Sequence, residues 1–375
     1  MYLDHRTLLK GCYTGLFKRT FSARRIFFIF LFLIMFLLNW VVIAAGRALD
    51  HLFFPSFRKQ KVEAPVFIVA TPRSGTTFLH RLMSLDERFA CFKLWQMALP
   101  AIVCYRLIDM IGRFDRAAGG YLARVMERID RFCFGSWEDR HVTGFSHTEE
   151  DEALLAHTLV AEAVYQLFPY FDELPPIGFL DRMPDDQRRN VMRFYRQSVQ
   201  RLLFSTGPDR TFLSKSPGAL GRIRSILETF PDARIIHLVR HPDAVLPSHV
   251  NMFYPTWEYL SPGIGKNSPE VRKYALLAVD WYRHMAQQWR LIDERQYICI
   301  RYDDLVRDPF HTVTAIYDHF GIPMTPAFRE RLAAARREAQ TYRSTHRYSL
   351  EEFGLSRAWV HEQLGDVIEE FELRR

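Results

Sequence analysis

A chain of 375 residues that is 48% hydrophobic, 14% aromatic and 25% charged is too apolar for a disordered or collagen-like polymer, and long enough to bury a core without disulfide staples. Its five cysteines, Cys12, Cys91, Cys104, Cys133 and Cys299, are odd in number, scattered and free of any CxxC spacing, which argues against a disulfide framework or a zinc site and for reduced, mostly buried thiols. The net charge of +7 raises the question of a polyanionic partner, but residues 1–61 carry ten Lys or Arg against two acids while the remainder holds 40 against 41. The basic excess is therefore N-terminal, and no nucleic-acid partner is expected.

The first element in chain order is Ile26 to Ala45, IFFIFLFLIMFLLNWVVIAA, twenty uncharged residues in which only Asn39 and Trp40 are strongly polar. A helix of that length spans roughly 30 Å, the hydrocarbon thickness of a bilayer. Core helices are seldom apolar on every face, and cleavable signal peptides have a shorter apolar centre, so the run reads as a membrane helix inside a basic unit, residues 1–61. Six basic residues precede it and four follow it. That is a small positive-inside bias, and both flanks suit anionic headgroups. A crossing helix and one that dips into a single leaflet both stay open.

A junction at Lys61 to Pro65 leads to a second unit, residues 62–375. Pro65 to Thr71, PVFIVAT, predicts a buried parallel strand, followed by a glycine-containing turn and a helix from about Thr76. Residues 93–204 read as a mostly helical insertion, broken at Gly119-Gly120, Gly144 and Pro175-Pro176. Short β-rich runs return at Thr211 to Lys215, Arg234 to Val239 and Tyr297 to Ile300, each followed by a helical stretch. Strands alternating with helices give an α/β fold class: a P-loop-like parallel sheet flanked by helices, with the N-terminal membrane helix appended.

The sharpest motif is Ala70-Thr-Pro-Arg-Ser-Gly-Thr-Thr77, placed between the predicted strand and helix. It has Walker A spacing with Thr76 where the lysine belongs. Backbone N–H groups over Arg73, Ser74, Gly75, Thr76 and Thr77, together with the helix N-terminus, suit a phosphate. The missing lysine and the lack of an obvious acidic metal-holding strand disfavour an ATP-Mg hydrolase or kinase.

VATPRSGTTFLHRLM and, downstream, FLSKSPGALGRIRSILETFPDARIIHLVRHPDAVLPSHV together resemble the PAPS-dependent sulfotransferases, in the PRSGTT form of bacterial and protein-tyrosine sulfotransferases. The resemblance covers about Pro65 to Leu355. It implies PAPS as sulfate donor and no metal, with the 5′-phosphosulfate on Arg73 to Thr77. Arg240 and Ser248 match the family's 3′-phosphate residues, where an arginine fork and a hydroxyl suit a dianion; a surface pair between Arg240 and Asp243 is the plainer alternative. Lys215, in SKSP, matches the lysine beside the transferring sulfuryl group, with Arg73 sharing the catalytic charge. Tyr302, in IRYDDLVRDP, matches a tyrosine near the nucleotide base. Arg343, His346 and Arg347 lie in a stretch similar to one that can close over the nucleotide.

Transfer to a hydroxyl also calls for a base. Tyrosine sulfotransferases use a glutamate about twenty residues beyond the loop, and many bacterial relatives carry Trp-Glu there; this chain reads Trp95-Gln96, and an amide is no base. The nearest substitute is Ser146-His-Thr-Glu-Glu-Asp-Glu152, which supplies His147 or Glu150 as base, or else an N-cap with acids at a helix N-terminus. The expected activity is sulfuryl transfer from PAPS to a hydroxylated small-molecule acceptor, amphipathic or lipid-like, on a membrane-associated enzyme of undetermined oligomeric state. A glycan acceptor, a P-loop kinase and a catalytically silent nucleotide-binding membrane protein are the rivals. With no N-x-[ST] sequon and no paired cysteines, the catalytic unit is expected to face the cytosol, where PAPS is made.

Overall fold

The computed structural model describes residues 1–134, 144, 147–339 and 348–373; Ser146, Arg343, His346 and Arg347 lie outside them. Its centre is a five-stranded parallel sheet in the order β2-β3-β1-β4-β5. The strands are β1 (Val66–Val69), β2 (Phe89–Ala90), β3 (Thr211–Lys215), β4 (Arg234–Val239) and β5 (Tyr297–Arg301). β3 and β4 have the predicted bounds, and β1 is trimmed at both ends. β2 has only two residues, too few for an apolar run to register in the sequence; it is recruited by pairing Phe89 with Thr211 and Ala90 with Phe212.

Because both faces of a parallel sheet are covered, its strands can be apolar without alternation. Phe67 and Val69 of β1 pack on one side with Tyr195, Phe212, Phe230 and Ile235. Val66 and Ile68 pack on the other, with Leu79, Leu82 and Ile316. The helices used below are α1 (His5–Tyr13), α2 (Ala23–Phe53), α3 (Thr76–Met83), α4 (Ile102–Ala117), α5 (Tyr121–Phe134), α6 (Asp185–Thr206), α7 (Pro242–Leu260) and α8 (Pro269–Gln288). Over residues 147–184 the insertion is mostly loops and short helical turns rather than continuous helix.

The apolar helix α2 is 31 residues long, extending past the predicted 26–45 at both ends. Ser22 caps it by accepting from the Arg25 N–H at 3.3 Å. It is not a detached anchor. Arg25, Ile29, Ile43, Gly46, Arg47 and Asp50 form a buried stripe at helical spacing. Asp50, fully buried, pairs with buried Arg201 of α6 at 2.7 Å and accepts the Ile102 and Val103 N–H groups at 3.0 and 2.9 Å, thereby capping α4. Two of the basic residues counted as headgroup partners, Arg25 and Arg47, thus serve the protein interior instead. Asn39 turns its amide to the Ala98 carbonyl at 3.4 Å. The four described cysteines are unpaired; Cys12, Cys91 and Cys104 are half-buried and Cys299 is exposed, less enclosed than expected.

Candidate active site

In open parallel sheets ligand sites form beyond the carboxyl ends of the strands. Here the order β3-β1-β4 sets Lys215, which ends β3, and Arg240, which follows β4, on either side of the turn after β1. Within that turn Arg73 has φ +72° and Gly75 has φ +90°. Gly75 is the N-cap of α3, and no side chain caps that helix. The first-turn N–H groups of a helix lack intrahelical acceptors and carry the positive end of its dipole, so an uncapped turn of this shape fits an anionic oxygen cluster. Thr71 and Ser74 are buried beneath it.

On the β4 side four residues interlock. Arg73 Nε donates to Ser248 Oγ of α7 at 3.1 Å, and Arg240 donates to the Arg73 carbonyl at 2.9 Å. The Arg240 guanidinium lies 4.2 Å from the centre of the Tyr302 ring. That ring also backs the turn: a Cβ on Gly75 would stand 2.7 Å from it. Tyr282 of α8 donates its hydroxyl to the Arg240 carbonyl at 2.7 Å, so Arg240 is held at both backbone and side chain. Asp243 sits 3.8 Å from the imidazole of His241. Tyr302 thus serves as a wedge between Gly75 and Arg240, a role that its position in the sequence did not disclose.

On the β3 side Lys215 is fully buried, its Nζ 3.4 Å from Thr77 Oγ1, 3.5 Å from Glu149 Oε2 and 3.8 Å from Glu150 Oε1. The acidic run is pinned there by backbone: Thr148 bridges Lys93, the Glu149 N–H donates to the Phe92 carbonyl at 3.1 Å, and the Asp151 N–H donates to the Lys215 carbonyl at 3.2 Å. Asp151 accepts from Tyr195 and, at 2.9 Å, from Ser214; burial pushes its carboxyl up to about 6 against the pull of those hydrogen bonds and of Arg222. Glu152 pairs with Arg222 at 2.6 Å. Burial, and then the charge of Lys215, push the enclosed His80 imidazole down to about 3, so it stays neutral.

The structure therefore brings Arg73, Ser74, Gly75, Thr76, Thr77, Arg240, Ser248, Tyr302, Lys215 and Glu150 to one edge of the sheet. His147 is different: it is exposed, and its backbone rather than its ring enters the network, accepting from the Leu94 N–H at 3.2 Å. Gln96, the position of the absent glutamate, is buried and accepts from the Lys93 N–H at 2.9 Å through Oε1, which caps the turn Leu94–Ala98. Tyr282 carries no sequence signal, and Glu149 stands in the sequence only as one acid of the run that supplies His147 or Glu150 as base. Glu149 is the less exposed of the two acids facing Lys215, at 12% against 38% for Glu150. Only a neighbouring strand end could single it out of an acidic run. Among the described residues no group of three His, Cys, Asp or Glu is placed to hold a metal ion.

Three comparisons with known proteins, by family profile, by sequence and by structure, bear on this site. The profile described as "Sulfotransferase family" matches residues 65–326. The omega-hydroxy-beta-dihydromenaquinone-9 sulfotransferase Stf3 of Mycobacterium tuberculosis is 25% identical over 320 residues, 82% of this chain and 75% of that protein. Carbohydrate sulfotransferase 3 of Mus musculus is 30% identical over 155 residues, 37% of this chain and 31% of that protein. Among solved structures, sulfotransferase STF1 of Mycobacterium tuberculosis aligns with a TM-score of 0.69 at 20% identity, over 96% of this chain and 90% of its own. STF9 of Mycobacterium avium aligns at 0.68 and 19%, over 89% and 82%.

Proposed function

Since the chain belongs to the sulfotransferase family, we propose that it transfers a sulfuryl group from PAPS to a hydroxyl of a lipid-like acceptor at a membrane surface. The observation that carries this reading is the convergence of Arg73, Arg240, Ser248 and Lys215 on the uncapped N-terminus of α3. Bound PAPS supplies an activated sulfuryl group on a phosphate leaving group. The chain's own residues then have distinct tasks. Arg73 to Thr77 hold the 5′ side through backbone N–H groups, while Arg240 and Ser248 hold the 3′-phosphate. Tyr302 keeps Arg240 and the turn at a fixed spacing. Lys215, 3.4 Å from Thr77 Oγ1, is a compact buried cation that offsets the charge developing on the leaving oxygen.

For the acceptor proton we propose the Glu149–Glu150 pair, whose distances to Lys215 of 3.5 and 3.8 Å support it over the exposed His147. Glu150→Gln and Glu149→Gln should lower turnover of labelled PAPS by about 10²–10⁴-fold for whichever acts as base, with His147→Ala near wild type. Normal turnover in both glutamine variants removes this assignment.

The lipid-like acceptor is supported by the match to Stf3, named for a hydroxylated dihydromenaquinone and aligned over 82% of the chain, and by the long apolar helix α2. The carbohydrate relatives align over 37%, which makes a glycan the weaker candidate. The need for PAPS supports a catalytic unit that faces the cytosol. Gln96 gives specific support to a second reading, a silent nucleotide-binding protein; it predicts tight 3′,5′-ADP binding and no labelled product from any lipid or glycan extract.

A further inference from the structure

Both flanks of α2 are fastened to the same body. Ahead of the helix, the Asp4 N–H donates to the Thr158 carbonyl at 2.9 Å, and Arg19 pairs with Glu270 of α8 at 2.8 Å. Behind it, Gln200 of α6 donates to the Gln60 carbonyl at 2.9 Å. While the fold is intact, the residues before and after α2 stay on one side of any bilayer, although the helix is long enough to cross. Opposite its buried stripe α2 presents Phe27, Phe30, Ile34, Met35, Leu38 and Val41, all more than half exposed.

A second apolar surface adjoins it. Helices α4 and α5 form a hairpin that turns through Gly119 and Gly120, at φ +92° and +72° with open space around both. Asp115 fixes the turn by accepting the Leu122 and Ala123 N–H groups at 2.7 and 2.9 Å. This is a built element, yet it exposes Leu107, Met110 and Phe114 along α4 and Leu122, Met126 and Ile129 along α5, each set spaced three or four residues apart. The hairpin starts on α2, where Asp50 caps α4 and a Cβ on Gly46 would stand 3.0 Å from Ala101 Cβ.

We propose that the outer face of α2 and the Ile102–Phe134 hairpin form one continuous surface that docks in the plane of a single leaflet of an anionic bilayer, without crossing it. Charge identifies the occupant: Arg106, Arg113, Arg116, Arg124 and Arg128 are exposed on the hairpin, against exposed Asp109 and Glu127. Apolar stripes flanked by arginine are the pattern of helices that lie at headgroup depth. The proposal deepens the membrane association inferred above and gives it a purpose within the same reading. Asn39 of α2 and Tyr105 of α4 both bond to the turn Leu94–Ala98, through the Ala98 and Gln96 carbonyls. The residue before that turn, Lys93, bridges Thr148 beside Glu149. A hydroxyl carried by a lipid would meet the acid-lined side of the site from this surface.

The test uses the full chain without donor, so its outcome is separate from that of sulfuryl transfer. Partitioning is measured on phosphatidylcholine vesicles with and without phosphatidylglycerol, for wild type, for Phe114→Gln/Leu122→Gln/Met126→Gln, and for Arg113→Glu/Arg124→Glu/Arg128→Glu. Each triple variant should bind the anionic vesicles at least about tenfold more weakly, with unchanged melting, and N- and C-terminal tags should be digested from the same face. The arginine set is exposed, so it remains informative where the apolar set impairs folding. Wild-type partitioning in both variants overturns the hairpin's role, and tags protected on opposite faces overturn the single-leaflet geometry. Failure of wild type to bind any vesicle removes membrane association itself. Loss of a dimer in the apolar variant, with vesicle binding intact, assigns the hairpin to a second copy of the chain and contradicts the proposal.

Discussion

The side of the site that faces the nucleotide and the side lined by acids meet at Lys215 but are constructed on different terms. The first is made of strand ends: the turn after β1, Arg240 after β4 and Lys215 at the end of β3 are neighbours because the sheet order makes them so. The second is made of segments far apart in the chain, with Thr148 to Glu152 laid against Phe92-Lys93 and β3, and α2 and α4 joined behind them. The strand ends are set by the backbone pairing of β3, β1 and β4, whereas the acid-lined side is set by an isolated bridge and by loop and side-chain contacts. Perturbing the strand ends should therefore act on binding and turnover, and perturbing the contacts that assemble the acid-lined side should act first on folding.

The largest expected effect is on the second side. Asp50→Ala leaves Arg201 buried without its carboxylate and α4 without its cap, so unfolding free energy should drop by about 3–5 kcal/mol, read by denaturant titration of full-length protein. A drop of under about 1 kcal/mol would mean that α2 is a detachable anchor after all. On the first side, Lys215→Met should cost about 10²–10³ in kcat while 3′,5′-ADP binding persists; equal losses in both would make Lys215 a binding residue only. Gly75→Ala forces a Cβ to 2.7 Å from the Tyr302 ring at φ +90°. The strain of about 1–3 kcal/mol should weaken 3′,5′-ADP binding roughly tenfold, and pairing it with Tyr302→Ala should restore part of the loss.

The smallest effect is a slope. Glu162 is buried, accepts the Tyr274 hydroxyl at 2.5 Å and lies 3.7 Å from His249, the neighbour of Ser248. Burial pushes its carboxyl from the usual 4.5 up to about 8. The folded state thus holds this proton more tightly than the unfolded chain does. The associated stability is complete below pH 4.5 and is lost as the pH rises through about 8. Glu162→Gln should flatten that decline in melting experiments across the same range; an unchanged slope would place its origin elsewhere.

The same contrast explains what the sequence disclosed. β3 and β4 were legible because each is a short β-rich apolar run bounded by turns, and PRSGTT was legible because a phosphate turn needs small and hydroxylated residues at fixed spacing. β2 was not, since two residues carry no period, and α2 was legible as apolar but not as a packed wall, because its buried stripe of Arg25, Arg47 and Asp50 depends on partners such as Ser198 and Arg201. The choice among acids was likewise hidden: only the approach of Glu149 to Lys215 separates it from Asp151, which serves Tyr195 and Ser214.

Sulfuryl transfer to a lipid is read by incubating the full-length protein with sulfur-labelled PAPS and vesicles containing a hydroxylated quinone lipid. Label should enter the organic phase with wild type, and at least a hundredfold less of it with Lys215→Met. Label that stays with the donor while 3′,5′-ADP still binds, or label that enters only a glycan fraction, would contradict it.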